Sequence, residues 1–270
     1  MVASPGRVKA AIAGPMEARV QFSIDQTAIR ITHPDAPALL ADVSARLADG
    51  HGFALATINL DHLVKLQRDP AFLAAYAAQD FVVADGNPIV WLSHLARRPV
   101  RLVPGSDMVL PLVRAAAAAG RPLSLLGSTG HALEAAMQRL QSLVPGLQRG
   151  LLIAPPMGFD PAGEAAQAML ERIESVGPGL CLVALGAPKQ ERLSALARRL
   201  APSVGFANVG AGVDFVAGTQ TRAPQWVRAI AMEWLWRALS SPRRLLPRYA
   251  ACAAILPRQA MQALRLRGNG

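Results

Sequence analysis

Residues 81–90 read FVVADGNPIV. A short β-branched run stops at Asp85, a glycine follows, and a segment with helical spacing begins. This is the pattern of a buried strand turning directly into a helix. The same punctuation recurs along the chain. "FALATIN" (53–59), "RPLSLLGST" (121–129), "GLCLVALGAPKQE" (179–191) and "SVGFANVGAGVDF" (203–215) each run from a strand into a polar or glycine-containing turn. "LQRGLLI" (147–153) is a weaker strand, and "RVQFSI" with "AIRIT" (19–32) suggests a small hairpin. Between them lie amphipathic segments, "DAPALLADVSARLADG" (35–50), ended by Gly50, and "HALEAAMQRLQSLVPG" (131–146), ended by Pro-Gly. Repeated strand–turn–helix units predict an α/β fold with a mostly parallel sheet flanked by helices.

The chain has 270 residues, 52% of them hydrophobic, enough for one large α/β domain with an appendage. Its two cysteines, Cys181 and Cys252, are far apart in sequence and form no metal or redox spacing. A reducing cytoplasm is the expected compartment. No secretion signal is visible, and no window reaches the roughly 18 apolar residues of a transmembrane helix. The net charge of +10 is uneven. From Arg222 to Arg267, nine arginines against one acid, Glu233, give the tail +8 of that total. Such a tail suits phosphates or an anionic membrane surface. Composition shifts near residue 220: beyond it no strand signal appears, and Pro242, Pro247 and Pro257 read as helix breakers. The expected organisation is an α/β domain over 1–220 and a basic, Trp/Arg-rich helical appendage over 221–270.

In open α/β sheets, ligands bind at the carboxyl ends of the strands. Here those ends carry Thr57 and Asn59, Asp85 and Asn87, Gly127, Gly186 with Gln190 and Glu191, and Asp214. Glycines at such turns let backbone N–H groups approach a phosphate or ribose. Together the turns suggest a nucleotide or nucleotide-sugar pocket. The P-loop pattern is absent, and "GAGVDF" lacks the third glycine of a dinucleotide fingerprint. No D-x-D occurs, and the five histidines show no ligand spacing, so no structural or catalytic metal is expected. Arginines of the tail would then have to neutralise a leaving diphosphate. Arg237 and Arg244, seven residues apart, would share a helix face if the helix continued.

Asp85 has two readings. It can cap the following helix, or serve as a base that takes an acceptor hydroxyl proton. Asp214 allows the same pair of readings. Thr57 and Asn59 can simply end a strand and cap "LDHLVKLQ", and Gln190 and Glu191 can lie on a solvated helix face. Trp226, Trp234 and Trp236 can be core aromatics or face a membrane.

The stretches "ATINLDHL", "VVADGNPIVW", "GSDM", "LLGS", "ALGAPKQE", "VGAGVDFVAGTQTRAP" and "MEWLWRALSSPRR", in this order, resemble the WecG/TagA/CpsF family of glycosyltransferases. The resemblance spans about residues 20–250. It implies a Rossmann-like core and an appendage that completes the active site and touches the membrane. It implies an inverting, metal-independent hexosyltransferase with no cofactor. Its donor would be UDP-glucose or UDP-N-acetylmannosamine, its acceptor a polyprenyl-diphosphate-linked saccharide at the inner face of the cytoplasmic membrane. By match to the family motifs, Asp85 is the catalytic base, Thr57, Asn59 and Gln190 line the pocket, and Arg237 and Arg244 bind the donor diphosphate. Four positions depart from the family pattern: Ala84 stands for proline, Leu102 for an arginine with Arg101 beside it, Leu193 for tryptophan, and Pro247 for an arginine with Arg248 beside it.

Other readings stay open at this level. A non-catalytic sugar-nucleotide sensor or assembly subunit would bind without turnover. A nicotinamide-dependent oxidoreductase would need the missing glycine. The charge fits nucleic acid, but no nucleic-acid motif is present, and no such partner is expected. The apolar faces of 35–50 and 105–120 can pack in the core or between subunits of a homo-oligomer.

Overall fold

A computed structural model describes residues 19–221 and 242–268. The expectations for Arg237, Trp226, Trp234 and Trp236 fall outside these residues, as does the side chain of Arg244. Strands β1 (Gln21–Ile24) and β2 (Thr27–Arg30) form the expected antiparallel hairpin. Then follow α1 (Ala36–Asp49), β3 (Phe53–Ile58), α2 (Leu60–Leu66), α3 (Pro70–Ala77), β4 (Phe81–Ala84), α4 (Asn87–Leu95) and α5 (Gly105–Ala118). The second half runs β5 (Leu123–Gly127), α6 (Gly130–Leu143), β6 (Arg149–Ile153), α7 (Glu164–Glu174), β7 (Leu180–Ala184), α8 (Lys189–Leu200), β8 (Gly205–Asn208) and α9 (Gly212–Ala217). Helix α10 (Pro242–Gly268) closes the described chain.

The six strands β3 to β8 form one parallel sheet in the order β4-β3-β8-β7-β5-β6, so the fold is α/β and Rossmann-like. Every residue of β3, β4, β5 and β8 is buried, as expected of parallel strands covered on both faces. On one face, Val43 of α1, Leu112 of α5 and Leu133 of α6 share a core with Leu55, Leu125 and Leu182. On the other, α7 and α8 bring Leu170 and Leu193 against Val183 and Phe206. The rest of that face is filled by the hairpin, α2, α3, α4 and α10, through Phe22, Leu63, Phe72, Ile89 and Cys252.

The prolines of the tail do not break it. Helix α10 opens at Pro242 and continues through Pro247 and Pro257. Proline at the first helical position loses no hydrogen bond, but the two interior prolines each do. Tertiary burial offsets that cost: Leu245, Cys252 and Ala263 are buried, and Ile255 and Ala260 pack on the core beneath. An ion pair adds to the docking, with Arg248 Nε 2.8 Å from Asp61 Oδ1 on α2.

Gly205 marks a tight point of the sheet. It pairs in register with Phe53, and a Cβ there would lie 2.3 Å from the Phe53 ring. That ring is fully buried and stacks at a tilt on Phe81, so it cannot step aside freely. Gly205→Ala should destabilise the fold by about 1–3 kcal/mol through overpacking. Urea unfolding should show a lower midpoint with an unchanged slope.

Candidate active site

The strand order reverses direction at one point of the sheet. From β5 the chain goes outward to β6, while from neighbouring β7 it goes the other way, to β8. Such a reversal is where α/β proteins hold ligands. Gly127, which ends β5, has φ +117, and a Cβ on it would lie 2.3 Å from the Ala184 carbonyl oxygen. Its glycine is therefore needed to close β5 on β7. Gly186 differs: it is exposed, and nothing lies within 4 Å of where a Cβ would be. The turn it opens contains a cis Ala187–Pro188 peptide and leads into α8.

Asp85 stands just past β4. Its amide donates to the Ile58 carbonyl at 2.8 Å, extending the β3–β4 ladder by one bond. The helix that follows is capped at Gly86, with no side-chain cap bond, so the capping reading of Asp85 does not hold. Its carboxylate instead accepts a hydrogen bond from the Thr57 hydroxyl, with Oγ1 3.3 Å from Oδ2. Thr57 pairs with Val83 in the ladder, and Asp85 is two residues beyond Val83. Strand periodicity therefore turns both side chains to the same face. Asn87, the first residue of α4, is half-buried beside them.

Asn59 does cap a helix. Its Oδ1 accepts from the His62 amide at 3.0 Å, at the start of α2. The His62 ring is buried, with Nδ1 2.9 Å from the Tyr76 hydroxyl, which in turn donates to the Thr57 carbonyl at 2.7 Å. Burial pushes the His62 imidazole down to about 3 and the Tyr76 phenol well up, so both stay neutral.

Gln190 and Glu191 are not on a solvated face. Gln190 is 4% exposed and Glu191 0%, because the first turn of α8 is wedged against α3 and the sheet. Gln190 Nε2 donates to Glu191 Oε1 at 2.8 Å. Around them, Gln79 Nε2 donates to the Glu191 carbonyl, and Ser194 Oγ accepts from Asn208 Nδ2 at 2.9 Å. Sequence periodicity gave no sign of Tyr76, His62, Gln79, Ser194 or Asn208, since what joins them is the approach of α2, α3, α8 and β8.

The remaining candidates are more scattered. Asp214, in the first turn of α9, accepts from Ser128 Oγ at 2.5 Å and from Gln220 Nε2 at 3.0 Å, a staple between the β5 turn and the end of α9. Ser128, in the left-handed region at φ +49, escaped the sequence reading. Arg101 is exposed on the loop before α5, with its amide bonded to the Pro34 carbonyl. Arg248 is engaged by Asp61, which also binds Lys65 Nζ at 2.9 Å, and Lys65 reaches the Ala187 carbonyl at 3.4 Å. Among the described residues, no three His, Cys, Asp or Glu side chains cluster to hold a metal, and no helix is long and apolar enough to cross a membrane.

A parallel sheet whose strands stop at polar turns, with a carboxylate just past β4 held by the Thr57 hydroxyl, suits an enzyme that transfers a group to a hydroxyl. The family model described as "Glycosyl transferase WecG/TagA/CpsF family" matches residues 24–269, nearly the whole chain, and the chain belongs to that family. It is accordingly a glycosyltransferase of cell-wall or polysaccharide synthesis, with a sugar donor and an acceptor.

Burial pushes the Glu191 carboxyl from 4.5 up to about 7, against the lowering effect of the Gln190 hydrogen bond. Unfolded, it ionises near 4.5; folded, it keeps its proton to about 7. Between those values the folded state binds more protons, so its contribution to stability falls as pH rises. Glu191→Gln should remove that fall and, above the window, raise stability by about 1–3 kcal/mol. Urea unfolding on both sides of the window checks this, and an unchanged pH slope in the variant would refute it.

Proposed function

We propose that this glycosyltransferase moves a hexosyl group from UDP-glucose or UDP-N-acetylmannosamine to a polyprenyl-diphosphate-linked saccharide, with inversion and without a metal. The observation that carries the reading is the placement of Asp85, which stands just past β4, precedes the Gly86 cap of α4, and accepts the Thr57 hydroxyl. In this reading Asp85 takes the proton of the acceptor hydroxyl. The acceptor oxygen attacks the anomeric carbon from the side opposite UDP. The bond to the diphosphate breaks, and UDP leaves with the electron pair. The exposed turn at Gly186 offers backbone to the donor, and Arg237 and Arg244 offset charge on the departing diphosphate. Arg244 belongs to the start of α10.

Helix α10 also supports a role at a lipid surface. Leu246, Met261 and Leu264 are exposed on it, beside exposed Arg243, Arg258, Arg265 and Arg267. Apolar area and basic charge are the two signals that together hold a peripheral protein on anionic lipid. The working location is then the inner face of the cytoplasmic membrane, with residues 221–270 acting as the appendage to a catalytic domain over 1–220.

With donor and a short-chain lipid-diphosphate saccharide in EDTA, wild type should release UDP from one of the two donors. Asp85→Asn should lower kcat by about 100- to 10,000-fold, the usual worth of a general base, while still binding UDP. A folded Asp85→Asn protein that transfers at the wild-type rate would refute the assignment. Donor binding without turnover in wild type, across acceptors, would favour a non-catalytic sensor.

A further inference from the structure

We propose that Tyr76 is a positioning residue for the transfer reaction. Its hydroxyl, backed by His62, clamps the Thr57 carbonyl at the end of β3 and so holds the Thr57 hydroxyl against Asp85. The inference rests on the reading of Asp85 as the base.

The geometry is a continuous buried string. Tyr76 is 1% exposed, Thr57 5% and His62 6%. The Tyr76 ring is fixed edge-on by Phe72 at 5.3 Å and by the His62 ring at 5.9 Å. A carbonyl can only accept, so the phenol's one hydrogen goes to Thr57 O, 2.7 Å away. His62 Nδ1, 2.9 Å from the Tyr76 hydroxyl oxygen, must then be the donor to it, which selects the neutral Nδ1–H tautomer. The His62 amide is bonded by Asn59, two residues beyond Thr57, so the string returns to the same strand end.

A phenol is costly to bury for packing alone, since Phe would fill the space without a polar atom to satisfy. Here the polar atom is spent on one peptide, and that peptide carries the hydroxyl that touches the proposed base. Burial keeps the phenol protonated, and the nearby charges of Glu191 and Asp85 push in the same direction. Tyr76 therefore remains a donor throughout the working range. Asp61 and Lys65 from α2, Arg248 from α10 and Glu191 from α8 are the other charged groups acting on the cluster, and Tyr76→Phe leaves all four in place.

Tyr76→Phe tests the clamp. Loosening Thr57 by a fraction of an ångström should lower kcat by about 10- to 100-fold, because reacting groups must be held in near-attack geometry. Donor KM should stay within about 2-fold, as a loss confined to the transition state requires. A donated hydrogen bond favours the ionised carboxylate, so the acid limb of kcat should move to higher pH. His62→Gln, which keeps a donor, should retain more activity than His62→Leu. A second readout needs no turnover: carboxyl-carbon NMR of Asp85 should show its titration moving upward in Tyr76→Phe. If near-UV circular dichroism shows Tyr76→Phe folded while kcat, its pH limb and the Asp85 titration all match wild type, the clamp is refuted. If the titration moves but wild type transfers from no UDP-sugar, the clamp stands and the proposed reaction fails.

Discussion

The site depends on one register, the parallel pairing of β3 with β4. Thr57 lies opposite Val83 and Ile58 opposite Ala84, and the Asp85 amide adds the last bond to Ile58. Because side chains alternate along a strand, only this pairing brings Thr57 and Asp85 to one face with an oxygen pair 3.3 Å apart. A slip of one residue would send the hydroxyl to the opposite face of the sheet. The fully buried strands hold the register, since a slip would also turn core side chains outward. The loop after α4 reinforces it: the Val103 amide bonds the Ala84 carbonyl, and Gly105 at the start of α5 fits against the Thr57 methyl and the Asn208 carbonyl.

Around that register the protein buries polar groups that a purely structural core would avoid. One set runs from His62 through Tyr76 to Thr57. Another joins Gln79, Gln190, Glu191, Ser194 and Asn208 beneath the first turn of α8. Such groups cost stability unless paired, and Glu191 remains costly enough that burial shifts it to about 7. Both sets sit behind the carboxyl ends of the strands, where rigidity would serve an oriented base. A third set ties in the tail: Asp61 holds Arg248 of α10 and Lys65, and Lys65 reaches the turn after β7. Docking of α10 is therefore linked by side chains to the turn at Ala187 that follows β7.

Much of the sheet was legible because parallel strands covered on both faces must be apolar and must stop at polar or glycine turns. Asp85 stood out at such a stop, but sequence alone could not separate a cap from a base, since both occupy the same place between strand and helix. In the fold the cap position falls to Gly86, one residue beyond Asp85. Asn59 went the other way and is a cap. Gln190 and Glu191 looked like surface positions because their neighbours are Lys189 and Arg192; burial comes from α3, over a hundred residues earlier in the chain. Tyr76 and His62 carried no local signal for the same reason. Pro247 and Pro257 misled because their local cost is real, while the apolar face of α10 that outweighs it meets its partners only in the fold.

The most direct test of the account is a crystal structure of the protein with UDP bound. The account predicts UDP across the carboxyl ends of the strands, its diphosphate over the open turn at Gly186 and its terminal phosphate directed toward Asp85. UDP seated away from those strand ends, or with its diphosphate turned away from Asp85, would contradict it.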